Sequence, residues 1–496
     1  MTLPALPTSA QPVIVGVALA YFAAVAVIGA WAARRTRTAR DFFVAGEGIG
    51  LWALALSAMA ATVSGFAFIG GPGLVYSAGI GAVYLVLPGA ITSSMSAWVL
   101  AKRMRLLAEA RGLMTVPDAL GARYRSRAAQ GLSALAIVIA TVGYMATNIL
   151  ALGLVVDGIF ACGLVAGIWI GMAIVLAYSA SGGILAGIYA DLLQGAVMAL
   201  ASVLVFAFAL ESGGGMGGLS AAVLAADPGW LGPWGRMQPL AALSLFFVFG
   251  VGTLGQPHVV HKFYMLRDPR RLRWYPLLMT SALLLTLLLY FGVGFAVKAL
   301  VARGELAPLA RPDDATPAFL LGHTPLLLAG LVFSGVAAAI MSTVNSFMSV
   351  GAAALTHDLP VAFGRRVGNE LRWGRLATIG ISLVAALVAQ RSGTLVALLG
   401  IFGWGLFAST LVPSLAIGLN WEGATRAGAI ASISTGLVLT LGLEAAAYLR
   451  WITVPAGVSI AGAALVASTL VFFVVSWLTR GTADEIDPDI RLVMSL

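Results

Sequence analysis

Residues 57–73 read Ser57-Ala58-Met59-Ala60-Ala61-Thr62-Val63-Ser64-Gly65-Phe66-Ala67-Phe68-Ile69-Gly70-Gly71-Pro72-Gly73. They sit in an apolar run, 50–77, long enough to cross a bilayer, yet Ser64-Gly65 and Gly70-Gly71-Pro72-Gly73 interrupt it. Glycine and proline weaken or break a helix. A second run, 239–260, carries Gly250, Gly252, Gly255 and Pro257. Taken singly, either run is explained as well by close helix packing through glycine. Their positions say more. They are the second and seventh spanning runs, five apart. Because five is odd, two five-helix units would have opposite orientation in the membrane, which is the arrangement of an inverted-repeat transporter with a site at the midplane beside the breaks.

The composition agrees. Of 496 residues, 60% are hydrophobic and only 10% charged, and Gly accounts for 59. A soluble domain carries about 25% charged residues, so an ordinary soluble enzyme is excluded. A disordered chain is apolar-poor, and a single cysteine, Cys162, rules out a disulfide scaffold. What remains is a polytopic membrane protein. Apolar runs fall at 12–33, 50–77, 80–101, 131–156, 160–180, 184–210, 239–260, 276–302, 324–356, 374–390, 394–418, 426–448 and 454–479. They predict an all-α chain of about thirteen transmembrane helices; a β-barrel would need alternating segments about half as long. No cleavable signal peptide is evident, so 12–33 reads as a retained first helix. With the N-terminus outside, 23 of the 29 Lys and Arg residues fall on the inner side, including Lys262 and its neighbours Arg267 to Arg273. This asymmetry predicts a cytoplasmic C-terminus in a cell inner membrane. It also explains the net charge of +9 without a nucleic-acid partner.

Five stretches in order resemble the sodium/solute symporter family, which includes bacterial proline, pantothenate and monocarboxylate carriers. They are Ser57 to Gly65 with Gly71-Pro72-Gly73; Gly182-Gly183 with Ala186, Asp191 and Gln194; Gly255-Gln256-Pro257-His258; Ala338 to Thr343 with Thr356-His357-Asp358-Leu359; and Phe402-Gly403 to Pro413 with Gly418 and Trp421. The resemblance covers roughly 12–480. It implies a five-plus-five inverted repeat in one membrane domain: an extra helix at 12–33, repeats at 50–212 and 239–418, extra helices at 424–480, and a cytoplasmic tail at 481–496.

Sodium takes several oxygen ligands at once, and a broken helix frees backbone carbonyls for it. The family's main sodium site maps onto Ala60, Val63, Ala339, Ser342 and Thr343. Ala60 and Val63, like Ala339 and Ser342, are spaced i, i+3 and so share a helix face. The other reading of Ser342 and Thr343 is hydroxyls bonded back to their own helix. Asp191 is the one carboxylate placed deep in a span, where acidic groups are costly. Family resemblance makes it part of a second cation or proton site with Asn345 and Ser346; otherwise it caps its helix or pairs with a loop Arg. The solute site should lie between the breaks, lined by Thr62, Ser64, Gly65, Tyr144, Asn148, Phe249, Thr253, Gln256, Pro257 and Trp404. For Tyr144, Phe249 and Trp404, packing is the competing reading.

Thr62, Phe249 and Thr253 depart from the proline carriers, which turns the expected solute toward a small organic acid. His258, His261, His323 and His357 form no metal-ligand cluster by sequence, and the acidic tail from Asp484 to Asp489 reads as a solvated end. There is no Gly-x-x-x-x-Gly-Lys-Ser/Thr loop for ATP, and no nucleophile–base pair for an enzyme. The expectation is a sodium-coupled secondary symporter, with sodium the only metal, no cofactor, and a small solute and the lipid bilayer as partners. A proton-coupled carrier of the same fold and a membrane-embedded solute sensor are the alternatives.

Overall fold

The computed structural model describes residues 11–45, 48–64, 66–391, 396–455, 457–482 and 486–495. Among them the architecture is helical throughout. Ten helices are long and apolar enough to cross a membrane, or eleven if the bent pair Pro239–Gly255 and Pro257–Met265 is one span. This is the count that length and composition support, against the thirteen read from the sequence. The difference lies in two places. The run 50–77 is divided into short pieces, with Leu51–Thr62 followed by the helical stretches Phe66–Gly70 and Gly71–Ala78. The runs 160–180 and 184–210 are continuous from Leu164 to Gly213 and count once by length, although the chain turns between them at Gly183.

That stretch has 50 residues, but Gly183 within it has non-helical angles, φ 56 and ψ −147. A straight helix of this length would run roughly 75 Å, more than twice the hydrocarbon thickness of a bilayer. The turn at Gly183 splits it into two pieces, each of spanning length. A side chain there would be strained by the positive φ, and its Cβ would lie 2.6 Å from the Phe42 carbonyl oxygen.

Leu326–Ala353 is the central helix, buried along almost its whole length. Its small residues explain how neighbours reach it. Without a hydrophobic drive between helices in lipid, association depends on close packing. At Gly351 a Cβ would already be 2.9 Å from the Thr141 side chain of Arg127–Phe160. The helices Arg426–Tyr448 and Ile460–Leu478 pack on one another at the periphery. The outer surface is apolar: Val27, Trp52, Trp98, Val438 and Trp477 are each at least two-thirds exposed.

The C-terminal end departs from expectation. The tail is no free solvated end among the described residues: Arg111 grips Asp489 through Nε and Nη2, both at 2.6 Å, and Asp487 at 2.7 Å. The short helix Pro488–Ser495 then buries Ile490 and Met494.

Gly183→Ala should cost about 1–3 kcal/mol of stability. The comparison is Gly163→Ala, which has a positive φ but open space around it. Thermal melting of both variants in detergent should show the larger loss at Gly183.

Candidate cation and solute sites at the two helix breaks

The first break is at Val63. The helix Leu51–Thr62 ends there with ψ 92 and the Val63 N–H still bonded to Met59 at 2.9 Å. Beyond it the helical ladder cannot take up the preceding carbonyls. Two hydroxyls of the central helix reach them instead. Ser342 Oγ donates to the Ala60 carbonyl at 2.5 Å and lies 3.0 Å from the Ala339 carbonyl. Thr343 Oγ1 is 3.2 Å from the Ala61 carbonyl and 3.0 Å from the same Ala339 carbonyl. Ala60, Ala339, Ser342 and Thr343 are therefore brought together, all buried, with Val63 at the point of opening. Ala61 joins them in addition to the residues read from the sequence. The two readings of the hydroxyls are compatible, since each contacts both its own helix and the broken one.

The second break is at Gln256, which is extended (φ −79, ψ 103) between Thr253–Gly255 and Pro257–Val260, within a bend of 42°. Its side-chain amide donates to the carbonyls of Gly252 at 3.0 Å and Trp404 at 3.3 Å.

Between the breaks lies a cavity of about 480 Å³. Thr62, Ser64, Tyr144, Asn148, Phe249 and Trp404 line it. Phe249 and Trp404 stack with ring centroids 5.2 Å apart. Thr253, Gln256 and Pro257 are buried behind the lining, where Thr253 bonds the Phe249 carbonyl and Gln256 that of Trp404. Gly65 lies outside the described residues. The sequence reading missed Thr286, Tyr290 and Asp313, which also face the cavity. Asp313 sits in a connecting segment with no periodic signal. The glycines that flagged the break bring these residues in. A Cβ on Gly71 would collide with the Tyr290 ring, and one on Gly73 would come within 2.6 Å of the Pro312 carbonyl oxygen.

Asp191 is fully buried and neither caps its helix nor meets a loop Arg. Its Oδ2 accepts from Ser57 Oγ at 2.5 Å and from Lys262 Nζ at 3.0 Å. Lys262 is itself 0% exposed, which corrects its placement among the inner loop charges. The charge run to Arg273 masked it; the apolar flank Val259, Val260, Phe263 and Tyr264 was the available signal. His258 and His261 are likewise buried, packed against Phe347 and bonded to the Met114 carbonyl respectively. Asn345 takes the Ser179 hydroxyl on its Oδ1 at 2.5 Å, and neither its Nδ2 nor Ser346 Oγ has a protein hydrogen-bond partner.

His357 does meet carboxylates, contrary to the sequence reading. Asp118, His357 and Asp358 bring ligand-type atoms within 4.8 Å of one another. Both imidazole nitrogens are engaged, Nε2 by Asp118 at 3.1 Å and Nδ1 by Glu370 at 3.3 Å, which is an ion-pair arrangement. Burial pushes the Asp118 carboxyl up, but the hydrogen bond and charge of His357 outweigh this and hold it below the usual carboxylate range.

Fold and breaks together define a membrane transporter, and comparison places it. The family model described as "Sodium:solute symporter family" matches residues 42–436, and the chain belongs to that family. It is 30% identical to the osmoregulated proline transporter OpuE of Bacillus subtilis, over 87% of each chain. It is 27% identical to a sodium/proline symporter of Staphylococcus aureus, over 96% of this chain and 94% of the relative. A solved structure of a Na+-coupled sialic acid symporter, substrate-bound and outward-open, shares the fold with a TM-score of 0.78 at 18% identity, covering 96% of this chain and 99% of that one. Family and relatives are transporters.

Gly71→Ala should lower thermal stability by collision with Tyr290. Combining it with Tyr290→Ala should cost less than the two single losses together, with a coupling of about 1–3 kcal/mol. Simple additivity in a double-mutant melting series would refute the contact.

Proposed function

We propose that the chain is a sodium-coupled secondary active symporter that imports a small organic solute by alternating access. In this reading it crosses the plasma membrane thirteen times, with the N-terminus outside and the C-terminus in the cytoplasm. The broken second and seventh spans belong to two inverted five-helix repeats. The observation that carries the proposal is the meeting of Ser342 Oγ with the Ala60 carbonyl at 2.5 Å, beside Thr343 and the opened backbone of Val63. A hard cation needs several oxygens at once, and this is a place where two helices present them together. With sodium bound, these oxygens turn their lone pairs on the ion, which ties the broken helix to the central one. Sodium and solute then raise each other's affinity, as linkage requires.

The solute is a small acid or amino acid: a monocarboxylate, a pantothenate-like acid, or an amino acid such as proline. Among the described residues the cavity lining holds no Lys, Arg or His, and its one charged side chain is Asp313. A carboxylate end would be met by backbone amides at the break and by sodium. A polar or cationic group would face Asp313. The proline-carrier relatives add weight to the amino acid, and Thr62, Phe249 and Thr253 to the organic acid.

Purified protein melted in sodium and in potassium, against a panel of small acids and amino acids, tests the reading through ligand stabilisation of the folded state. The expected result is a compound that stabilises only in sodium; equal stabilisation in both salts would overturn sodium coupling. Ser342→Ala or Thr343→Ala should raise the sodium concentration for half-maximal stabilisation about tenfold, which corresponds to about 1.4 kcal/mol per lost ligand. Unchanged sodium dependence in both variants would remove the site assignment.

A further inference from the structure

The buried carboxylate of Asp191 lies one segment away from the sodium site, and its partner comes from the chain itself. Taking the sodium-symporter reading as its basis, we propose that Lys262 is a tethered cation at Asp191, so that the chain couples transport to sodium at the Ala60–Ser342 site alone.

The first argument is the match between donors and acceptors. A lysine ammonium has three N–H donors and no acceptor. Lys262 Nζ meets three oxygens: the Ser57 carbonyl at 2.7 Å, Ser57 Oγ at 2.6 Å and Asp191 Oδ2 at 3.0 Å. Each proton has an acceptor, and the Ser57 hydroxyl in turn donates its hydrogen bond to Asp191 Oδ2. A backbone carbonyl, a hydroxyl and a carboxylate are the oxygen types a small hard cation would take.

The second argument is electrostatic. Lys262 and Asp191 are both 0% exposed. A lone buried carboxylate would need a cation, and a lone buried ammonium an anion. Together they are neutral, which leaves no uncompensated charge at this point to draw a second sodium from solution, and the ammonium fills the place such an ion would take. Gly187, one turn before Asp191, is the close neighbour of the Asn345 amide nitrogen, a donor that repels a cation.

The third argument is placement. Ser57 precedes Ala60 by three residues on the first broken helix, and Lys262 follows the second break on the bent span. The ammonium therefore ties both broken spans to Leu164–Gly213. An imported sodium leaves with the solute, whereas this charge is part of the chain and stays. Asp191 Oδ1 and Gln194 Oε1, which have no protein hydrogen-bond partner, would join Ser57 as ligands once the lysine is gone.

The experiment is saturation binding of radioactive sodium to purified full-length protein in detergent, with potassium as the competing salt. Wild type is expected to bind one sodium per chain, Lys262→Arg one, and Lys262→Met two. Two sodium ions on wild type, or one on Lys262→Met, would overturn the proposal while leaving the symporter reading intact. Should Lys262→Met fail to fold, Ser342→Ala decides: loss of all saturable binding supports the proposal, and a remaining site overturns it. No sodium on wild type would defeat the symporter reading instead. In that case one newly acquired sodium on Lys262→Met would still support the tethered cation, and none would overturn it.

Discussion

A backbone carbonyl taken out of its helix inside a membrane has no water to turn to, and the structure is organised around that constraint. At the first break, the carbonyls of Ala60 and Ala61 are met by Ser342 and Thr343, and that of Phe68 by Thr316 at 2.7 Å. At the second, Gly252 is met by Gln256 and Phe249 by Thr253. At the first break each partner comes from another helix that must be held at a fixed distance; at the second the bonds are local, four residues back, and Gln256 alone also reaches across, to the Trp404 carbonyl. Much of the bundle can be understood as the support that keeps those partners in reach. The central helix is buried nearly throughout for this reason, and small residues along it let the neighbours close in.

The same constraint explains which features were legible in the sequence. Breaks are written in glycine and proline, so Ser64-Gly65 and Gly255 to Pro257 gave away the positions of both. Hydroxyls that serve them carry no such mark, so Ser342 and Thr343 were found only once the family pattern was laid on the chain. Asp191 stood out because a carboxylate is rare in an apolar run. Lys262 did not, because a lysine beside Arg267 and Arg270 looks like one more loop charge, and only the three-dimensional path of the bent span buries it. The expected helix count depended on treating each apolar run as a separate element. Gly183 keeps 160–180 and 184–210 apart, since a single glycine turns the chain while helical hydrogen bonding continues on either side.

The solute cavity shows a second limit of sequence reading. Its wall is partly built by residues without a local signature. Tyr290 lies on a long apolar helix and Asp313 in a connection, and neither position is marked by periodicity or motif. They become part of the site only because Gly71 and Gly73 have no side chain to keep them away. Conversely, Thr253, Gln256 and Pro257 carry the motif of the break but stand behind the lining, where they fix the backbone that Phe249 and Trp404 depend on. Motif residues here shape the chain path, and the surface offered to a solute is drawn from elsewhere.

The grip of Arg111 on Asp487 and Asp489 ties the last described helix to the C-terminal end of Lys102–Arg111. The paired groups are partly exposed, with the Arg111 side chain 29% accessible. Charges at such a surface are screened over about 8–10 Å at physiological ionic strength. At 2.6–2.7 Å these charges sit well inside that length, so salt loosens the strut without dissolving it. The rim thus answers weakly to ionic strength in general, whereas the buried oxygens of the first break can answer only to an ion small enough to be taken in among them.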